Sequence, residues 1–267
     1  MLPSWKIHNS LRFVVASMIS MRRTIALGIV GSVLVVTPTA VALAQPQAAA
    51  CALINYRGLD EVTSGILATS DVPIDQRRDF VRLHEEAQLR IANTFGATRA
   101  SAVIVIGSTE ALRDLIPGAG SHASTIDIPY RSCVVVGPNG HDVNVLAHEA
   151  LHAEIHQRVG HWYRLTQIPT WFDEGLAMQV DFRERYLWSF RFGAVDSGTV
   201  KQWTSRSQFF SGDDEELTRH YAMAKEEVRL WVEELGREDV YGFLERVRRG
   251  DRFQETYERF RSSNKKE

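Results

Sequence analysis

The chain has 267 residues, of which 44% are hydrophobic and 24% charged, and its formal net charge is −2 at pH 7. This composition is typical of a globular protein, and the slightly acidic balance argues against a nucleic-acid partner. The sequence contains no internal repeat and no long low-complexity tract that would indicate a fibrous or disordered chain.

The first 44 residues have the three parts of a secretory signal. Two arginines precede an apolar run at positions 25–36, and an Ala-Leu-Ala cleavage site ends at Ala44. The signal is complete from Met21, which makes Met21 an alternative functional start. We predict cleavage after Ala44 and a periplasmic or secreted product. An uncleaved membrane anchor is the alternative, but the apolar run is shorter than the roughly twenty residues that a membrane span needs.

Removal of residues 1–44 takes away four basic residues and no acidic residue, so the net charge changes from −2 to −6. The remaining segment, 45–267, suits a single domain, and we expect no stable membrane span in it. Cys51 and Cys133 are the only cysteines. In an oxidising compartment they form either one disulfide or two separate thiols, and the sequence leaves both alternatives open.

Several elements are predicted before the central motif. After a short flexible lead, apolar residues at helical spacing predict a helix over Ile74–Phe95. A strand over Ala102–Ile106, a short helix over Thr109–Leu115 and a Gly-rich loop over Pro117–Ser124 follow. Cys133–Val136 is predicted as a second strand.

His148, Glu149 and His152 form an HExxH motif in the stretch VLAHEALHAEIH. Residues four apart lie on one helix face, so the two imidazoles can bind one ion. Glu149 beside that ion can take a proton from metal-bound water, whose pKa Zn²⁺ lowers to about neutrality. The flanking residues are small or apolar, which indicates a buried helix where these polar groups would be costly without a metal. An exposed helix with incidental charges is the alternative.

A third metal ligand is needed. The metzincin class is excluded because Ile155 and Arg158 occupy the positions of its glycine and third histidine. His156 lies one turn further, but three histidines at intervals of four on a straight helix cannot converge on one tetrahedral centre. His161 is also a weak candidate, since it follows a glycine that is expected to end the helix.

Glu174 is the better candidate, in the stretch IPTWFDEGLAMQ. It follows the second histidine by 22 positions, which is enough for the first helix to end and a second apolar helix to cross beneath the metal. A carboxylate there completes a His₂Glu site and leaves the fourth position for water.

HEALH followed by WFDEGLA resembles the gluzincin branch of zincin metallopeptidases, specifically the bacterial MA-like peptidase domains, in which WxxEGxA follows the HExxH helix. The segment Tyr221–Phe260 resembles their C-terminal helices, with a Tyr-led helix, a break at Gly236 and a turn at Gly250–Phe253. The resemblance covers the chain from about Ser101 to Phe260. It implies an α+β, zincin-like fold with a small mixed sheet, an HExxH helix and a C-terminal helical subdomain.

The resemblance also implies roles for residues. It implies that His148, His152 and Glu174 bind Zn²⁺ and that Glu149 is the general base. Thermolysin-like relatives place an Asp that orients a histidine ligand where this chain has Met178. The neighbour of the third ligand, Asp173, points about 100° away around a helix, so it is not assigned to that role.

Two further expectations depend on position in the chain. His220 and Tyr221 begin the family-like C-terminal helix and are the candidates for stabilising the oxyanion. The strand just before the metal helix commonly lines the cleft in zincins, so Arg131–Val136 is the candidate edge for extended peptide, with an interior strand as the alternative.

These observations predict an exported zinc metallopeptidase that hydrolyses peptide bonds in a peptide or protein substrate. Two alternatives remain, a zinc-binding protein of the same fold without activity and an envelope interaction module that needs no zinc. The substrate, the endo- or exopeptidase mode and the oligomeric state are not encoded in any recognisable motif.

Overall fold

The computed structural model describes residues 45–186 and 196–263, so the predicted signal at residues 1–44 lies outside the described residues. The described residues from Ala50 onward form one compact unit. It combines a five-stranded mixed sheet with helices that dominate the C-terminal part, which confirms the predicted α+β class. Within the two described ranges, no helix has both the length and the apolar character that a bilayer crossing requires.

Parallel strands form the interior of the sheet, and an antiparallel strand lies at each edge. The third strand is a continuous run of Val and Ile, and the fifth ends in three valines. Both strands are almost entirely buried, as expected of strands covered on both faces. In chain order the strands are β1 (Asp60–Thr63), β2 (Ile66–Ala68), β3 (Val103–Ile106), β4 (Ala123–Ile128) and β5 (Arg131–Val136), and their order in the sheet is β1-β2-β3-β5-β4.

The prediction that Arg131–Val136 is a free edge is wrong, and the interior alternative is confirmed. β5 pairs with β3 on one side and with β4 on the other. The edge strand next to β5 is β4, which begins inside the predicted Gly-rich loop, and β1 forms the opposite edge. Sequence reasoning missed β4 because its residues ASTIDI are only partly apolar.

Eleven α-helices lie within the described ranges: α1 (Pro46–Ala52), α2 (Ile74–Phe95), α3 (Thr109–Leu115), α4 (Val143–Val159), α5 (His161–Gln167), α6 (Thr170–Ala177), α7 (Ser197–Val200), α8 (Arg206–Phe209), α9 (Asp214–Leu235), α10 (Val240–Arg248) and α11 (Phe253–Ser263). Short 3₁₀ turns occur at Ile54–Tyr56, Pro138–Gly140, Met178–Val180, Glu184–Tyr186 and Arg237–Asp239. The helix predictions for α2 and α3 are confirmed at both ends. The predicted flexible lead is wrong, since it contains α1, β1 and β2.

The HExxH motif lies on α4, which packs against β4, β5 and α2. The Asp142 carboxylate accepts hydrogen bonds from two backbone N–H groups of the first turn and fixes where the helix begins. Gly160, with a φ of 84°, ends it. Most residues of α4 are buried around its whole circumference, as expected of a helix between a sheet and other helices.

The C-terminal helices follow the predicted breaks but not the predicted start. Gly236 and Gly250 have φ values of 94° and 104°, and the turn predicted at Gly250–Phe253 leads into α11, which begins at Phe253. The prediction of a helix that begins near Tyr221 is wrong, because α9 begins at Asp214 and contains Tyr221 in its interior. A capping box formed by the Asp213 and Glu216 side chains sets this earlier start.

An aromatic cluster joins α6 to the C-terminal helices. Between ring centroids, Trp171 lies 5.4 Å from Tyr257. The Phe172 ring centroid lies 4.9 Å from that of Phe253 and 5.2 Å from that of Trp231. All five side chains are buried. Aromatic contacts of this kind fix the position of α6, the helix that carries Glu174.

Gly175 lets α6 lie directly against α9. A Cβ atom built on Gly175 would lie 2.5 Å from the carbonyl oxygen of Ala224 and 2.6 Å from a methyl carbon of Val228. Both distances are shorter than real Cβ contacts allow. The glycine that follows Glu174 therefore sets the distance between the two helices.

The two cysteines lie together in the interior. Cys51 is on α1 and Cys133 on β5, and both are free and fully buried. A hydrogen bond with the Cys51 thiol, together with burial, raises the pKa of the Cys133 thiol far above its ordinary value. The structure thus places the two thiols side by side, in contact but not covalently joined.

Candidate metal centre

Three predicted ligands meet in one buried cluster. The Nε2 atoms of His148 and His152 lie 3.1 Å apart. The Oε2 atom of Glu174 lies 3.3 Å from the first of these nitrogens and 3.4 Å from the second. The three residues are only 4–6% exposed. The cluster could hold a metal ion.

The spacing of these atoms fits a single tetrahedral ion. Nitrogen and carboxylate ligands lie about 2.0–2.2 Å from Zn²⁺, which places ligand atoms about 3.3–3.5 Å from one another. The three observed distances, from 3.1 to 3.4 Å, are close to these values. Glu174 Oε2 is buried and makes no hydrogen bond within the described part of the chain. A buried carboxylate oxygen of this kind needs a positive partner.

The electrostatics of the cluster favour a bound cation. Burial opposes a positive charge on His152, yet the carboxylates of Glu174 and Asp173 raise its pKa to about 10. Burial also opposes ionisation of Glu174, but the charge on His152 outweighs it and holds the pKa of Glu174 below its ordinary value. At neutral pH the cluster therefore attracts positive charge, either a proton or a metal cation.

The other histidines near α4 have different partners. His156 Nδ1 lies 3.2 Å from the hydroxyl of Ser132 on β5, and the His156 ring lies 5.6 Å from that of His161. The metal-ligating group found among the described residues contains neither of them. The choice of Glu174 over these histidines therefore agrees with the geometry.

Each histidine of the cluster has a carboxylate on its far side. His152 Nδ1 donates to Asp173 Oδ1 at 3.1 Å. His148 Nδ1 lies 3.7 Å from Asp181 Oδ2, and the Asp181 side chain is fully buried. A carboxylate that accepts a hydrogen bond from the outer nitrogen of a ligating histidine orients the ring and raises its basicity. Asp173 can give this support to His152, whereas His148 Nδ1 makes no hydrogen bond within the described residues.

Sequence reasoning missed both carboxylates for identifiable reasons. Asp173 and Glu174 do point in different directions around α6, but the two nitrogens of His152 lie on different sides of its ring. Adjacent residues on one helix can therefore contact one imidazole from two sides. Asp181 follows the 3₁₀ turn after α6, where no helical spacing relates it to His148. The only signal in the sequence was the Asp-Glu pair itself.

Glu149 faces the edge strand. The hydroxyl of Thr125 on β4 lies 2.7 Å from Glu149 Oε2 and 3.0 Å from the Glu149 carbonyl oxygen, so it donates to the carboxylate, to the carbonyl or to both. Glu149 is only partly buried, unlike the two histidines beside it. Its carboxylate is thus held on the side of α4 that faces β4.

The two oxyanion candidates lie in different surroundings. The Tyr221 ring lies 6.1 Å from that of His148, between centroids. Burial, together with the nearby Glu174 and Glu149 carboxylates, raises the pKa of Tyr221 well above its ordinary value. Tyr221 therefore keeps its proton at neutral pH and can donate a hydrogen bond.

His220 makes its contacts with aromatic residues. Its Nδ1 donates to the carbonyl oxygen of Phe209 at 2.7 Å, and its ring packs on Trp203 with centroids 4.0 Å apart. These contacts are those of a buried packing residue. Of the two candidates, Tyr221 is the one whose ring contacts a residue of the cluster.

Comparison with known proteins adds no family to these observations. No family model matches the sequence, and no curated protein matches it significantly. The resemblance to gluzincins thus depends on the motif residues and stays a prediction.

Proposed function

We propose that this protein is an exported zinc-dependent metallopeptidase of the gluzincin type. One observation carries the proposal. The donor atoms of His148, His152 and Glu174 lie 3.1–3.4 Å apart in a buried cluster. Two histidines and one glutamate are a ligand set of catalytic zinc sites, which leave a coordination position open, whereas structural sites are closed by four protein ligands.

The residues around the cluster have distinct roles in this proposal. Zn²⁺ bound by the three ligands would supply Lewis acidity and lower the pKa of a water molecule to about 7. Glu149 accepts the proton of the attacking water and passes it to the leaving amine. Thr125 holds the Glu149 carboxylate in place for this transfer. Tyr221, which is protonated, donates a hydrogen bond to the oxygen of the peptide carbonyl as negative charge develops there.

The edge strand β4 is the proposed substrate site. Among the described residues, β4 pairs with β5 on one side and with no strand on the other. An extended peptide can add to such an edge through main-chain hydrogen bonds. Thr125 on this strand contacts Glu149, so a peptide along β4 would run past the general base. A peptide or protein substrate is therefore favoured over a small molecule.

Export is the second part of the proposal and depends on the sequence of residues 1–44. N-terminal sequencing of the protein from the periplasm or the medium should give a chain that begins at Gln45. A membrane-associated chain that begins at Met1 or Met21 would instead support the anchor.

The activity is tested by proteome-wide cleavage profiling with the exported protein and its Glu149→Gln variant. Glutamine is nearly isosteric but cannot accept the proton, so we expect a loss of about 10²- to 10⁴-fold in cleavage rate. Zinc content should remain one per chain in both proteins. Equal rates would refute the mechanism. A wild-type protein with zinc but no cleavage would favour the inactive zinc-binding alternative, and one without zinc would favour the interaction module.

A further inference from the structure

Arg164 of α5 lies between two carboxylates behind the metal centre. Its Nη2 and Nε atoms lie 2.7 Å and 3.1 Å from Asp173 Oδ2. Its Nη1 atom donates to Asp127 Oδ2 on the edge strand β4. Asp127 also accepts a hydrogen bond from the Ser132 hydroxyl at 2.7 Å. The Arg164 side chain is only 10% exposed, so this contact is inside the protein.

The two oxygens of Asp173 have different partners. Oδ1 accepts from His152 Nδ1, and Oδ2 accepts from the Arg164 guanidinium. Arg164 Nη2 also lies 3.2 Å from His152 Nδ1, but that nitrogen donates its own hydrogen to Asp173 and cannot accept one from the guanidinium. With both oxygens engaged, the plane of the carboxylate is fixed, and so is the orientation of the imidazole that donates to it. If the guanidinium were removed, Oδ2 would lose its charged partner in a largely buried position and the carboxylate could rotate.

We propose that Arg164 is a positioning residue for the metal ligand His152, that it acts through Asp173, and that it joins the ligand to the edge strand at Asp127. Its planar fork contacts both carboxylates at once. A lysine in this place offers one nitrogen on a flexible stem and cannot reproduce that geometry. This inference rests on the zinc binding of the proposed function but not on its peptidase activity.

The test measures the zinc dissociation constant by competition with a chelator, together with the thermal midpoint of the metal-free protein. For Arg164→Lys we expect the affinity to fall about 10- to 100-fold, the usual effect of losing an outer partner of a ligating histidine. The matched control is Arg158→Lys. Arg158 is a buried arginine of α4, paired with Glu154 at 2.6 Å, and it contacts none of the three ligands. The control should lower the thermal midpoint while changing zinc affinity by less than about threefold.

A double-mutant cycle shows whether Arg164 acts through Asp173. The Asp173→Asn/Arg164→Lys protein should bind zinc about as weakly as Asp173→Asn alone, because the intermediary is already lost. Arg164→Gln provides a second variant if Arg164→Lys does not fold. Wild-type affinity in a folded Arg164 variant, or losses that add in the double variant, would overturn the inference. A wild-type protein that binds no zinc would overturn the proposed metal centre instead, so the two failures are distinguishable.

Discussion

Gly175 is the position where a single methyl group should displace a metal ligand. In Gly175→Ala the new Cβ would lie 2.5 Å from the Ala224 carbonyl oxygen, and real contacts are essentially never below 3.0 Å. Helices α6 and α9 must therefore separate by about 0.5 Å or more at this point. Metal–ligand distances tolerate only about 0.2 Å. The displaced helix carries Glu174, so the substitution should both distort the geometry of the metal cluster and destabilise the packing of the core.

The expected magnitudes follow from the size of this displacement. Overpacking of a core typically costs about 1–3 kcal/mol, and each kcal/mol lowers the thermal midpoint of a domain of this size by about 2–4 °C. We therefore expect a midpoint lower by about 2–12 °C in the metal-free protein and a clear loss of zinc affinity.

Gly242 provides the matched control. It is an exposed glycine inside α10, and a Cβ built there meets nothing within 4 Å. Gly242→Ala should raise stability by about 0.5–1 kcal/mol through helix propensity and leave zinc binding unchanged. Thermal unfolding and zinc titration of both variants test the reasoning. A Gly175→Ala protein with unchanged midpoint and unchanged affinity would refute it.

Three further predictions concern the metal centre and the cysteines. Glu174→Ala should lose stoichiometric zinc while His156→Ala retains it; metal analysis showing the reverse would contradict the ligand set. Because His152 has a pKa of about 10 in the metal-free protein, zinc binding should release about one proton between pH 7 and 9. The apparent dissociation constant for zinc should then fall about tenfold per pH unit in this range. Calorimetry in buffers of different ionisation enthalpy measures the number of protons released, and a value near zero would contradict the prediction. In the exported protein, Cys51 and Cys133 should be oxidised to a disulfide, because their thiols are in contact; thiol titration in denaturant that finds two free groups would contradict this.

Local sequence patterns were enough to predict elements that have a clear apolar pattern of their own. α2 and α3 have apolar residues at helical spacing, β3 is a run of β-branched residues, and β5 ends in one. The proximity of the candidate ligands His148 and His152 was predictable because one helix sets their separation. Glu174 followed from the need for a third donor on the next apolar helix.

The rest of the site depends on contacts between distant segments. β4 is recognisable only by its pairing with β5, and Thr125 reaches Glu149 only because that pairing places the strand beside α4. Arg164 lies on α5, a helix of seven residues of which none is fully buried. Nothing in the local sequence distinguishes it from an ordinary surface arginine.

The last helix affects when the metal centre is complete during synthesis. Trp171 and Phe172, the two residues before Asp173 and Glu174, rest on Phe253 and Tyr257 of α11. A nascent chain that still lacks α11 therefore lacks part of the support for its ligand helix. Full assembly of the candidate metal centre therefore waits until α11 has been translated. A premature stop codon, or clipping by another protease near the C-terminus, would weaken a centre whose own residues are all intact.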